Sequence, residues 1–111
     1  MSEIPLKIRQ ADLFEAMIAA NIGGHVLFKN ESAQPIYVVM DTDRQHELIA
    51  GGGAASFRPN CGDCPTYHVW SVDGAGKPIQ QIYADSFCTL EPFPPRCCRD
   101  LKWTGSKIER D

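Results

Sequence analysis

The chain has no long hydrophobic run. No stretch approaches the roughly 18 consecutive apolar residues of a membrane-spanning helix. Its first residues, Met1-Ser2-Glu3-Ile4-Pro5-Leu6-Lys7, lack the apolar core of a secretory leader. Cytoplasmic is therefore the expected location. An excess of positive charge is missing as well. The formal net charge is −3, which argues against nucleic acid as the main partner, because phosphate binding needs concentrated Lys and Arg. Residues 96–111 carry a local +2, leaving −5 for the remainder; so small an excess reads as a solvated tail.

Several motifs are present only in part. His46-Glu47-Leu48-Ile49-Ala50 begins like the metalloprotease signature H-E-x-x-H, but Ala50 stands where the second His belongs. Asp41-Thr42-Asp43 with Glu47 lacks the glycine and oxygen-ligand spacing of an EF-hand loop, and reads as a turn. Gly51-Gly52-Gly53 lacks the G-K-[ST] ending of a phosphate cradle, and no G-x-S-x-G frames a serine. None of these supports catalysis, and no catalytic or organic-cofactor-binding residue is expected.

What is present is cysteine. Five occur, four of them in two tight pairs: Cys61-Gly62-Asp63-Cys64 and the adjacent Cys97-Cys98. In a reducing compartment such pairs more often bind metal or do thiol chemistry than form disulfides. Cys61 and Cys64 have the spacing of a zinc knuckle, in which two thiolates on a tight turn reach one ion. Cys97 and Cys98 are the natural remaining ligands. On a regular strand, however, adjacent residues point to opposite faces, so His68 or Cys88 could take the place of one of them. A structural zinc on Cys61, Cys64, Cys97 and Cys98 is the leading expectation.

Three other readings stand beside it. The cysteines can be small buried hydrophobes, a description that suits Cys88 best. They can form disulfides in an exported, lectin-like or inhibitor-like binding protein, with cross-pairs such as Cys61 or Cys64 with Cys97 or Cys98 easier than a bridge between neighbours. Or Cys61/Cys64 or Cys97/Cys98 can be a thiol redox pair or sensor. The strand-like run Thr66-Tyr67-His68-Val69-Trp70 after the first pair argues against a thioredoxin-type helix start.

At 111 residues the chain is one domain by size. Residues 10–21 read as an amphipathic helix with Leu13, Phe14, Met17 and Ile18 on one face, Asp12 as cap and Gly23-Gly24 as the stop. This makes residues 1–23 a helical arm, in the core or contacting a partner, ahead of a β-rich domain over 24–111. Strands are expected at 25–29, 36–40, 46–50, 54–58, 67–72, 79–84 and 101–103, with 86–90 continuing or pairing again. Two hairpins are expected, one around Gly51-Gly52-Gly53 and one around 73–78. Pro92, Pro94 and Pro95 mark an extended loop. The spacing predicts a small antiparallel β-sandwich or open barrel of six or seven short strands. Tyr37, Phe57, Tyr67, Trp70, Tyr83, Phe87 and Trp103 are mostly core by alternation, although they could line a sugar or peptide groove. Trp103 is the best candidate for exposure. The overall expectation is a non-enzymatic binding module for an unidentified protein or small molecule.

Overall fold

Alternation of burial along short β-branched and aromatic runs builds two sheets. The computed structural model describes residues 23–41, 44–89, 91–92 and 95–110. Its strands are β1 (His25–Asn30), β2 (Ile36–Met40), β3 (Gln45–Ile49), β4 (Ala54–Phe57), β5 (Thr66–Val72), β6 (Pro78–Ser86), β7 (Glu91–Pro92), β8 (Pro95–Arg96), β9 (Cys98–Trp103) and β10 (Ile108–Arg110). The first sheet runs β10-β9-β1-β4 and the second β3-β2-β5-β6; β7 and β8 make a separate two-stranded pair. The mainly β architecture therefore holds. The helix expected over 10–21, and the contact face of Leu13, Phe14, Met17 and Ile18, lie outside the described residues.

The core sits between the two sheets. Val26 and Phe28 from β1, Phe57 from β4, and Leu101 and Trp103 from β9 meet Ile36, Val38, Met40, Tyr67 and Val69 of the second sheet. Phe28, Phe57 and Tyr67 form an aromatic cluster with centroids 5.8–6.2 Å apart, within the range of favourable ring contacts. Trp103 is 3% exposed and Ile108 4%, so the segment read as a solvated tail instead closes one side of the sandwich. The expected exposure of Trp103 is corrected by the same observation. Alternation along β9 turns Leu101 and Trp103 inward and leaves Asp100 and Lys102 on the wet side.

Two topological expectations need correction. β1 pairs with β9 in parallel, His25 opposite Cys98 and Asn30 opposite Trp103, so the sandwich is not purely antiparallel. Nor do β3 and β4 form a hairpin. β3 pairs with β2 in the second sheet, and β4 pairs with β1 in the first. Gly51-Gly52-Gly53 carries the chain across the end of the sandwich from one sheet to the other. Gly52 takes a φ of +77°, and a Cβ on Gly51 would lie 2.5 Å from the carbonyl oxygen of Ala33, so glycine is required at both. The hairpin around 73–78 forms as expected, joining β5 to β6.

Asn30 fastens this crossover. It is 1% exposed, and its Nδ2 donates to the carbonyls of Gln34 (2.8 Å), Ile49 (3.1 Å) and Ala50 (3.2 Å). Its Oδ1 accepts from the amide (3.0 Å) and hydroxyl (2.6 Å) of Ser32. Its main chain exchanges bonds with Gly52 and Gly53, at 2.8 Å each. One side chain thereby satisfies carbonyls from both sheets' connections, as buried polar groups require.

Candidate functional site

The cysteines meet at the opposite end of the sandwich. Cys61 is bonded to Cys97 and Cys64 to Cys88. Cys98 is the free thiol and is exposed. Oxidised sulfur has no thiolate lone pair to give, so the zinc expected on Cys61, Cys64, Cys97 and Cys98 is overturned. No group of three or more His, Cys, Asp or Glu among the described residues is arranged to hold a metal ion. The cytoplasmic expectation falls with it, because such bridges persist in oxidising compartments and are rare in the cytosol. The Cys61-Gly62-Asp63-Cys64 turn is real, with Gly62 at a φ of +90° and the Asp63 amide donating to Asn60 at 3.1 Å. It serves two different bridges. Cys88, which had suited a buried hydrophobe best, is exposed and bridged.

Alternation explains the second pair. Cys97 is 5% exposed and faces the packed end, whereas Cys98 begins β9 pointing outward. Around the bridges the main chain is closely packed. The Gly24 amide donates to Pro59 (2.6 Å) and the His25 amide to Cys97 (2.8 Å). A Cβ on Gly24 would run into the Thr89 methyl and sit 2.9 Å from the Pro59 oxygen. The Thr89 amide in turn donates to Asp63 at 2.9 Å.

The open feature lies on the outer face of the second sheet. A groove of about 450 Å³ runs along β2 and β5, within the size range of small-molecule sites. Tyr37 and Trp70 are direct cross-strand partners and both are half-buried. Val39 lies opposite His68 on the same face. Tyr37 also stacks on His46, centroids 5.6 Å apart and planes 28° apart. Asp41 and Arg44 flank the turn between β2 and β3 at one end, and Pro78 closes the other.

A β-bulge sets the polar side of this groove. Val69 faces Tyr83, and a regular ladder would then place Ile82 opposite Trp70. The register shifts between Val69 and Trp70, so Gln81 takes that place. Ile82 instead borders a second, smaller hollow beside Trp103. Gln81 Oε1 lies 2.9 Å from His68 Nδ1 and can only accept, so the ring donates there through Nδ1–H. His68 Nε2 is then left 4.0 Å from Asp41 Oδ2, and Asp41 Oδ1 accepts from the Thr66 amide at 3.0 Å. Gln81, His68 and Asp41 form a line of oriented polar groups beside two aromatic rings.

Tyr67 sits on the buried side of the same strand. Burial pushes its hydroxyl far above the ordinary tyrosine range, with Arg99 opposing and Asp41 adding to the effect. Its hydroxyl finds no hydrogen-bond partner among the described residues.

Tyr37 and Trp70 were expected, with the other aromatics, to be mostly core; the structure places both half-buried on the outer face instead. The bulge that brings Gln81 beside them was not legible in the sequence, and neither Asp41 nor Arg44 carried a signal beyond that of a turn.

No protein-family model matches the chain, and no curated protein matches it. Among solved structures, a disulfide-locked mutant of intermedilysin with human CD59 is similar at 15% identity and a TM-score of 0.43, over 82% of this chain. The chain spans 24% of that chain's length, and a likeness this distant carries no functional argument.

Proposed function

We propose that the protein is an exported binding module, a β-sandwich stapled at one end by two disulfides and presenting a ligand groove on one outer sheet face. The pairing of four of the five cysteines carries this reading. Bridges of this kind belong to oxidising compartments, and small secreted domains use them to supplement a core of limited size. A rigid scaffold with a mostly apolar groove and a few convergent polar side chains is the usual form of a binding site.

Alkylation followed by intact-mass measurement tests it. Protein purified without reductant should take up one alkyl group when denatured, on Cys98, and five after reduction. Uptake of five groups before any reduction would remove the exported, stapled reading.

A further inference from the structure

We propose that the groove over Tyr37 and Trp70 binds a neutral carbohydrate, one pyranose ring lying on the aromatic pair with its hydroxyls directed to Gln81, His68, Asp41 and Arg44. The inference rests on the binding-module reading above and adds the class of ligand.

Three observations select this class. The first is the two-sided lining. Tyr37 and Trp70 stand directly opposite each other on adjacent strands, half-buried, with Val39 next along the same face. Such a platform takes the apolar C–H face of a ring, and Asp41 and Arg44 place polar groups at one end of it. The second is charge. The groove contains one carboxylate, Asp41, and one guanidinium, Arg44, which cancel. A ligand with a strong net charge of either sign would meet an opposing group, and a neutral one would not. The third is the bulge. It turns Ile82 out of the groove and brings in Gln81, whose amide carries both donor and acceptor. With Gln81 Oε1 engaged by His68, its Nε2 hydrogens remain for a ligand oxygen, and the pair is oriented before any ligand arrives. Carboxylate, amide, imidazole and guanidinium together match a ligand whose rim alternates donors and acceptors, as vicinal hydroxyls do. An aliphatic chain would leave these groups desolvated without partners.

The two tryptophans of the chain make the test direct. Trp70 lies in the groove and Trp103 is buried against the other sheet, so their indole N–H resonances report separately. The oxidised full chain is titrated with the methyl glycosides of glucose, galactose, mannose, fucose and N-acetylglucosamine, and with cellobiose, maltose and lactose. At least one should shift the Trp70 indole saturably at millimolar concentration or below and leave Trp103 in place. Trp70→Ala should weaken that binding at least tenfold by calorimetry, and Gln81→Leu should weaken it severalfold with the fold intact. The inference is overturned if no sugar moves Trp70, if Trp70→Ala binds as the parent does, or if phosphatidylcholine vesicles move Trp70 where the sugars do not. The alkylation count on the same sample separates the two claims. Intact bridges without sugar binding remove this inference alone. Sugar binding by a chain with five free thiols removes the exported reading and leaves the site.

Discussion

The two ends of the sandwich are closed by different means. At one end Cys61–Cys97 and Cys64–Cys88 hold the loops covalently. At the other, Asn30 holds the sheet-to-sheet crossover through its side-chain and main-chain hydrogen bonds. The covalent end restrains the unfolded chain as well as the folded one, whereas the Asn30 end acts in the folded state alone. A small sandwich with a modest core thus has one end insensitive to local fraying and another that depends on every member of a polar cluster staying in place.

The largest expected effect comes from the covalent end. The bridges close loops with separations of 36 and 24 residues, the second nested inside the first. Loop-closure entropy assigns about 3–4 kcal/mol to either one alone. The sum is smaller, because once one bridge is closed the other closes a shorter path. Cys64→Ser with Cys88→Ser should lower stability by about 3 kcal/mol in chemical denaturation, and full reduction should remove much of the ~5–15 kcal/mol typical of a domain. A melting temperature unchanged by reductant would break the comparison outright.

At the other end, Asn30→Ala should cost about 2–3 kcal/mol, since it strips the buried Ile49 carbonyl and the part-buried Gln34 and Ala50 carbonyls of their donor and the Ser32 groups of their acceptor. Amide exchange sharpens the contrast: the loss of protection should concentrate around residues 49–53 and spare the bridged end. Equal loss at both ends would mean that they act as one unit.

The smallest effect is expected at Tyr67, between the ends. Its buried hydroxyl lacks a partner among the described residues, so Tyr67→Phe should be neutral or stabilising by about 1 kcal/mol. The folded-state pKa is raised, so the phenol's contribution is complete below the unfolded value near 10 and is lost as pH rises beyond it. The parent should therefore lose stability in alkali more steeply than Tyr67→Phe. Parallel alkaline melting curves for the two proteins would show that the Tyr67 environment is not what the burial implies.

Much of the β framework was legible because its strands are locally consistent. Ile36–Met40 and the β5–β6 hairpin carry β-branched alternation bounded by turn residues, and both form as read. The false hairpin at Gly51-Gly52-Gly53 arose because three glycines signal a reversal without saying which sheet the next strand joins. The crossover that results is held by Asn30, far upstream, whose Asn-Glu-Ser setting reads as a plain turn. Cysteine pairing was illegible for a similar reason. The spacing of Cys61 and Cys64 describes the turn, but their partners lie 24 and 36 residues away and are set by the tertiary fold. The zinc expectation followed from a compartment inferred from the first seven residues, and the bridges reverse it. Within the groove, Tyr37 and Trp70 were read as mostly core because alternation does not say which face of the sheet is covered, and Gln81 was hidden by a one-residue bulge.

The parallel pairing of β1 with β9 sets an order in time. His25 and Cys98 are neighbours although 73 positions separate them in the chain. The centre of the first sheet therefore cannot form until nearly the whole domain has been synthesised. The second sheet, built from hairpins between residues 36 and 86, can assemble earlier. During that interval β1 has β4 on one edge but not β9 on the other, its apolar residues remain incompletely covered, and slow, late-finishing folding is the expected habit of this molecule.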